Sequence, residues 1–219
     1  MDTQTENTAY ATITNPTEET YKTLNLAYDF FNRELFSGKL PPCLITMQRK
    51  SKARGYFCAE RFEARKEDAH FVHEIALNPS HFKDRSDEEI ISTLVHEMAH
   101  LWQEEYGKPP RRGYHDREWA SKMDEIGLVP SNTEEEGGRR TGQSMSHYID
   151  PNGKYARLIS VFLSTAKPLY CQDRPVIKAN TKSKNKIKYT CPTCGMNAWG
   201  KEEISIVCGT DKVELQRAN

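Results

Sequence analysis

The sequence predicts an α+β fold in two parts: helices packed on a small antiparallel sheet, then a small cysteine-bearing module. Three observations lead there. Residues 86–110 read as a long amphipathic helix with signals at both ends. Short β-like runs between residues 44 and 77 are separated by turn residues. Three of the six cysteines follow residue 189.

Taken in order, residues 1–14 are rich in Thr, Asn and Glu without periodicity and are expected to form a disordered tail. Asn15, Pro16 and Glu18 then supply a cap, an N1 proline and a capping-box acid. Leu24, Tyr28, Phe31 and Leu35 continue at helical spacing, and Gly38 supplies a stop. Leu44–Met47, Gly55–Phe62 and Glu74–Leu77 read as strands of the sheet, with Arg49, Lys50, Lys52 and Arg54 in the first turn. Ser86 to Glu89 is a capping box, and Ile90, Leu94 and Leu101 with Ile91, Val95, Met98 and Trp102 form a wide apolar stripe. A further helix is expected from about Asp116 to Ile126, stopped by Gly127. Residues 131–147 read as loop, and residues 155–163 fit either strand or helix. The expected organisation is a tail (1–14), a principal domain (15–150), a connecting segment and basic linker (151–187), and a terminal module (188–219).

Charge supports this division. The chain carries 31 basic and 31 acidic side chains, so its net charge is zero. Residues 1–150 hold 19 basic against 26 acidic groups, whereas residues 151–219 hold 12 against 5. A wholly basic nucleic-acid binder is excluded, but the terminal part is basic by itself. No apolar run approaches the roughly 18–20 residues of a membrane span. The polar, acidic opening has neither the basic nor the apolar region of a secretory signal. A cytoplasmic protein is therefore expected, without a membrane partner, and the cysteines are not expected to form a disulfide framework. Cys43 and Cys58 read as small core residues.

The central helix carries His96-Glu97-Met98-Ala99-His100. Residues i and i+4 lie on one helix face, so two imidazoles can converge on one zinc ion. Glu97, beside the first of them, can act as the base on a water at the open position of the metal. A third ligand must come from elsewhere. His115 is the best candidate, with Asp116 and Glu118 as carboxylate competitors. His70, His73, His81 and His147 read as surface or hydrogen-bonded histidines.

With these residues in view, the chain resembles the SprT-like zinc metallopeptidases, the family that includes the Spartan proteases. The resemblance rests on Phe31-Asn32-Arg33-Glu34-Leu35-Phe36, Leu40-Pro41-Pro42, Gly55-Tyr56-Phe57, Glu74 to Pro79, Leu94 to His100, Gly113-Tyr114-His115 and Glu118-Trp119. It implies a compact zincin-like domain, with His96, His100 and His115 as ligands of a catalytic zinc and Glu97 as catalytic base. It also implies an edge strand beside the cleft that holds an extended peptide, and Glu74–Leu77 is the expected edge.

In the terminal module, Cys191-Pro192-Thr193-Cys194-Gly195 is one knuckle of a zinc ribbon. Cys208-Gly209-Thr210-Asp211 stands where the second belongs, with Asp211 in the place of a cysteine. Cys191, Cys194, Cys208 and Asp211 are the candidate ligands of a structural zinc. Cys171 is a distant substitute, and a metal-free remnant is the alternative. Lys182, Lys184, Lys186 and Lys188, with Trp199 as a stacking platform, are candidate DNA contacts. The expected function is a zinc endopeptidase acting on DNA-bound or DNA-crosslinked proteins, nucleoid-associated if bacterial. The alternatives are a zinc-dependent DNA-binding or regulatory protein with a structural peptidase fold, or a peptidase unconnected with DNA.

Overall fold

The computed structural model describes residues 15–65, 70–166, 168–169, 171–173 and 186–218. The expected tail and two of the candidate DNA contacts, Lys182 and Lys184, lie outside them. The chain divides into two compact units, Met1–Pro175 and Val176–Asn219.

The first unit opens with α1 (Pro16–Phe36). Asn15 caps it, its side-chain oxygen accepting from the Thr17 and Glu18 amides. Ser37 (φ 58°) and Gly38 (φ 68°) end it in left-handed conformation. The Asn32 amide then clamps both backbone groups of Leu40, each at 3.0 Å, and so directs the chain into the sheet. Leu24, Phe31 and Leu35 face the core at the expected spacing.

Three strands follow: β1 (Leu44–Met47), β2 (Gly55–Glu63) and β3 (Phe71–Leu77). Their order is β1-β3-β2, with β1 parallel and β2 antiparallel to β3. The sheet is thus mixed rather than antiparallel throughout. Glu74–Leu77, expected at the edge, runs through its middle. Glu74, Ile75, Ala76 and Leu77 are all buried, which makes β3 the most buried of the three strands, and a central position covers both of its edges. Asn78 pins the β1–β2 turn against the end of β3 by donating to the Lys50 and Ala53 carbonyls (2.8 and 2.7 Å). The strand left at the edge beside the cleft is β2.

Helix α2 (Asp87–Tyr106) crosses the core. Its predicted capping box is formed, Ser86 accepting from the Glu89 amide and Glu89 from the Ser86 amide. After Gly107 come β4 (Tyr114–His115) and α3 (Arg117–Ile126), the latter capped by Asp116 and ended by Gly127 in left-handed conformation. The segment expected to be loop contains β6 (Gly142–Gln143) and the start of β7 (Ser146–Ile149). β6 pairs with β4, and β7 with β5 (Leu128–Ser131).

Residues 154–165, expected within the connecting segment, form α4, which belongs to this core. Its Tyr155 and Phe162 rings pack on Phe31 at 5.4 and 5.9 Å, and the Tyr155 hydroxyl donates to the Glu88 carbonyl at 2.6 Å. Cys43 packs against the core, where burial pushes its thiol up to about 12. Cys58 instead lines the cleft.

The second unit is a three-stranded antiparallel sheet, β8 (Ile187–Thr190), β9 (Asn197–Gly200) and β10 (Gln216–Arg217), in the order β10-β8-β9. Its buried apolar core comprises Tyr189, Cys191, Cys208 and Leu215. So small a core needs a staple. Among the described residues no helix is long and apolar enough to cross a membrane.

Candidate active site

One turn of α2 separates His96 from His100 and brings their ring centroids to 5.3 Å. β4 delivers His115 to the same spot, 5.5 Å from the first ring and 4.7 Å from the second. One nitrogen from each ring lies within 4.8 Å of the others. Pairing of β4 with β6 aligns His115 with Gly142, whose carbonyl lies 3.2 Å from Nδ1. A carbonyl only accepts, so Nδ1 carries the proton and Nε2 keeps its lone pair. Trp119 backs all three rings, with centroids at 4.4–5.3 Å, and stacks on His100 at 16°. Fully buried, it is a rigid floor.

Burial lowers the proton affinity of each ring. His96 lies well below the ordinary histidine value, helped by the neighbouring imidazoles, and His100 is lowered to about 3. Burial lowers His115 too, against the Gly142 carbonyl and Asp116. Three neutral imidazoles converging on one point are the form and arrangement in which histidine binds a metal ion. The donor set therefore fits the expected metal.

Glu97 is 5% exposed. Burial pushes its carboxyl up to about 8, opposed by the Phe57 amide that donates to it and by Lys50. It stands beside a cleft of ≈ 690 Å³ walled by the β2 edge from Gly55 to Ala59. Gly55 makes this approach possible. A Cβ there would lie 2.9 Å from the Ala76 carbonyl and from Thr93 Cγ2, and 3.0 Å from Glu97 Oε1.

The carboxylate competitors have other work. Asp116 accepts from the Trp119 amide and from Gln103 Nε2 (3.0 and 2.9 Å). Glu118 accepts from Gln103 Nε2 and the Lys108 amide (2.8 and 2.7 Å). Both brace the loop that returns His115. His73 bonds Glu105 and the Glu60 amide. His81 lies in the short 3₁₀ turn Pro79–His81. His147 is hydrogen-bonded, but it is half-buried and lines the cleft, against His96.

Residues 24–137 match the SprT-like family. The chain belongs to that family. It is a family of metallopeptidase type, and the matched stretch holds all three histidines and Glu97. A stretch of 60 residues, 27% of this chain, is 55% identical to 80% of the "uncharacterized protein in mucB 3′ region" of Salmonella typhimurium. No solved structure matches the chain.

Beyond the matched stretch, this SprT-like protein holds a second group of side chains that could bind a metal ion. Donor atoms of Cys191, Cys194, Cys208 and Asp211 all lie within 4.8 Å of one another. The two turns that present them are alike. Cys191 N–H donates to the Met196 carbonyl and Gly195 N–H to the Cys191 carbonyl (2.8 and 3.0 Å). Cys208 N–H donates to the Val213 carbonyl and Lys212 N–H to the Cys208 carbonyl (2.8 and 2.9 Å). Gly195 (φ 73°) and Lys212 (φ 59°) are both left-handed. Asp211 thus occupies in the second turn the place of Cys194 in the first, and its Oδ2 lies 3.3 Å from Cys191 Sγ and from Cys208 Sγ. Cys171 falls outside this group. On the same sheet Trp199 is 61% exposed, opposite Lys188 in the β8–β9 register, and Lys186 and Lys188 are exposed.

The sequence did not reveal Trp119 as a floor, Gly55 as a spacer, or His147 as a partner of His96. Fifty-one positions separate the last pair, so no local spacing signals it.

Proposed function

We propose that this SprT-like chain is a zinc-dependent endopeptidase that cleaves DNA-associated proteins. The observation that carries the reading is the buried Glu97 carboxylate beside three converging neutral imidazoles, at the foot of a cleft walled by an edge strand. His96, His100 and His115 would hold zinc, which supplies Lewis-acid polarisation of the scissile carbonyl and eases deprotonation of the attacking water. An extended substrate adds to the β2 edge through main-chain hydrogen bonds, which read backbone rather than side chains and so favour broad specificity. Glu97 takes the proton of the attacking water and passes it to the leaving amine. Gly55 and the Phe57 amide hold the carboxylate in place for this transfer. Trp119 excludes water behind the rings.

Recruitment to DNA is assigned to the second unit. The exposed Trp199 ring beside Lys188 offers a stacking surface flanked by charge, and the lysine-rich stretch, with Lys182, Lys184 and Lys186, adds phosphate contacts. The test uses the full chain with zinc and an unstructured protein such as casein, with and without DNA. Cleavage is expected, is lost on chelation, and rises with DNA. Trp199→Ala combined with Lys188→Glu removes the stimulation and leaves basal cleavage unchanged. Tight DNA binding without cleavage under any condition would instead favour a regulatory protein on a peptidase fold. Cleavage indifferent to DNA would separate the peptidase from DNA.

A second zinc is assigned to Cys191, Cys194, Cys208 and Asp211. Thiolates bind zinc more strongly than a carboxylate does, which orders two variants. Asp211→Cys resists chelators better than the wild type. Asp211→Ala lowers the content from two zincs to one at chelator levels the wild type withstands, and loosens the module with it. Metal analysis during chelator titration measures both. Equal retention by all three proteins would remove Asp211 from the ligand set.

A further inference from the structure

We propose that His147 is a positioning residue that locks His96 as its Nδ1–H tautomer and leaves Nε2 bare toward the metal. Protons can be counted along a part-buried chain of hydrogen bonds. Ser92 and His96 lie one turn apart on the same face of α2, and His147, from β7, bridges them. Ser92 Oγ donates to the Glu89 carbonyl at 2.8 Å. A hydroxyl has one proton, so toward His147 Nε2, 2.8 Å away, the same oxygen accepts. His147 therefore carries its proton on Nε2. At neutral pH an imidazole carries a single proton, and with that proton on Nε2 the Nδ1 of His147 holds a lone pair. That lone pair faces His96 Nδ1 at 3.1 Å. The two nitrogens bond only if His96 supplies the proton. Its Nε2 is then unprotonated and free.

His115 reaches the same state by donating Nδ1–H to the Gly142 carbonyl. Outer partners of this kind ordinarily fix the tautomer of a metal-binding histidine. Here an imidazole anchored through Ser92 does for His96 what a carbonyl does for His115. The β5–β7 pairing sets the backbone of His147 opposite Pro130. The matched family stretch ends at residue 137, so this residue lies outside it. The value of the locked tautomer rests on the metallopeptidase reading. The tautomer itself does not.

The test is long-range ¹⁵N–¹H NMR of the imidazoles in the full-length, metal-free protein at neutral pH. His96 is expected with its proton on Nδ1 and His147 with its proton on Nε2. In His147→Leu the His96 proton redistributes to Nε2, and zinc affinity at the histidine site, measured by chelator competition with the cysteine site filled, falls about 10–100-fold. In His147→Gln the amide oxygen accepts from His96 and its nitrogen donates to Ser92, so both readouts return close to wild type. A wild-type His96 protonated on Nε2 would overturn the proposal. So would a His147→Leu protein with unchanged tautomer and affinity. If His147→Leu fails to fold, the wild-type spectrum and the Gln variant still decide. A wild-type histidine site that takes no zinc would refute the metallopeptidase reading, and the metal-free spectrum would still settle the role of His147.

Discussion

Glu97→Gln abolishes peptide cleavage while the full-length protein keeps its zinc. The amide has the shape of the carboxylate, so it still fills the space beside Gly55 and within reach of the Phe57 amide. The three imidazoles are untouched, and metal content stays at the wild-type value. What disappears is the group able to accept a proton from water and return it to the amine. General acid–base groups contribute about 10²–10⁴-fold, and a fall of that size in kcat is expected. A stability measurement separates this from loss of fold. In the metal-free protein, burial raises Glu97 from an ordinary 4.5 to about 8. The folded state therefore favours the protonated form. Its stability contribution is full below 4.5 and is lost as the pH rises toward 8. Glutamine has no such dependence. Between those values the metal-free variant gains stability relative to the wild type as the pH increases. Unchanged cleavage by Glu97→Gln would remove the base from the mechanism, and loss of zinc would show a structural defect instead.

Legibility in the sequence followed the range of the interactions. Helix α2 was readable because its determinants are local: the Ser86–Glu89 box, the apolar stripe, and two histidines a turn apart. The third histidine was readable as the best candidate but not settled, because Asp116 and Glu118 are equally close in the chain. Gln103 engages both carboxylates, and His115 is the group that lies within reach of the other two rings; Gln103 lies in the preceding helix. Strand order was not readable. β1 and β2 run in opposite directions as neighbours would, yet β3, a later and more buried strand, lies between them. Residues 155–163 suited strand or helix because short apolar runs carry little period. Their place in the core depends on Phe30 and Phe31, far away in α1. Asp211 was readable as a candidate ligand by position, and the matched turns around Cys191 and Cys208 bring its carboxylate among the three thiols.

Gly55→Ala lowers kcat about 100-fold without reducing zinc affinity. The added methyl has three neighbours at or below 3.0 Å, and they differ in how easily they move. The Ala76 carbonyl belongs to the central strand, one register position from Gly55. Thr93 is buried on α2, its hydroxyl fixed by Arg85. The carboxylate end of Glu97 is the softest of the three, since side-chain torsions can move it against a single hydrogen bond from the Phe57 amide. The strain therefore falls first on Glu97, the proposed base. A misplacement of about 1 Å costs on the order of 10²-fold in rate, whereas the histidines, which do not touch Gly55, keep their geometry. Overpacking also lowers stability, by about 1–3 kcal/mol. A double-mutant cycle assigns the strain: in a Glu97→Ala background the added methyl has more room, so Gly55→Ala destabilises less than it does in the wild type. Wild-type turnover in Gly55→Ala would show that β2 moves aside freely. Equal destabilisation in both backgrounds would place the strain on Ala76 and Thr93 alone. The expected outcome makes Gly55 the spacer that lets one edge strand both hold a peptide and press against the base that acts on it.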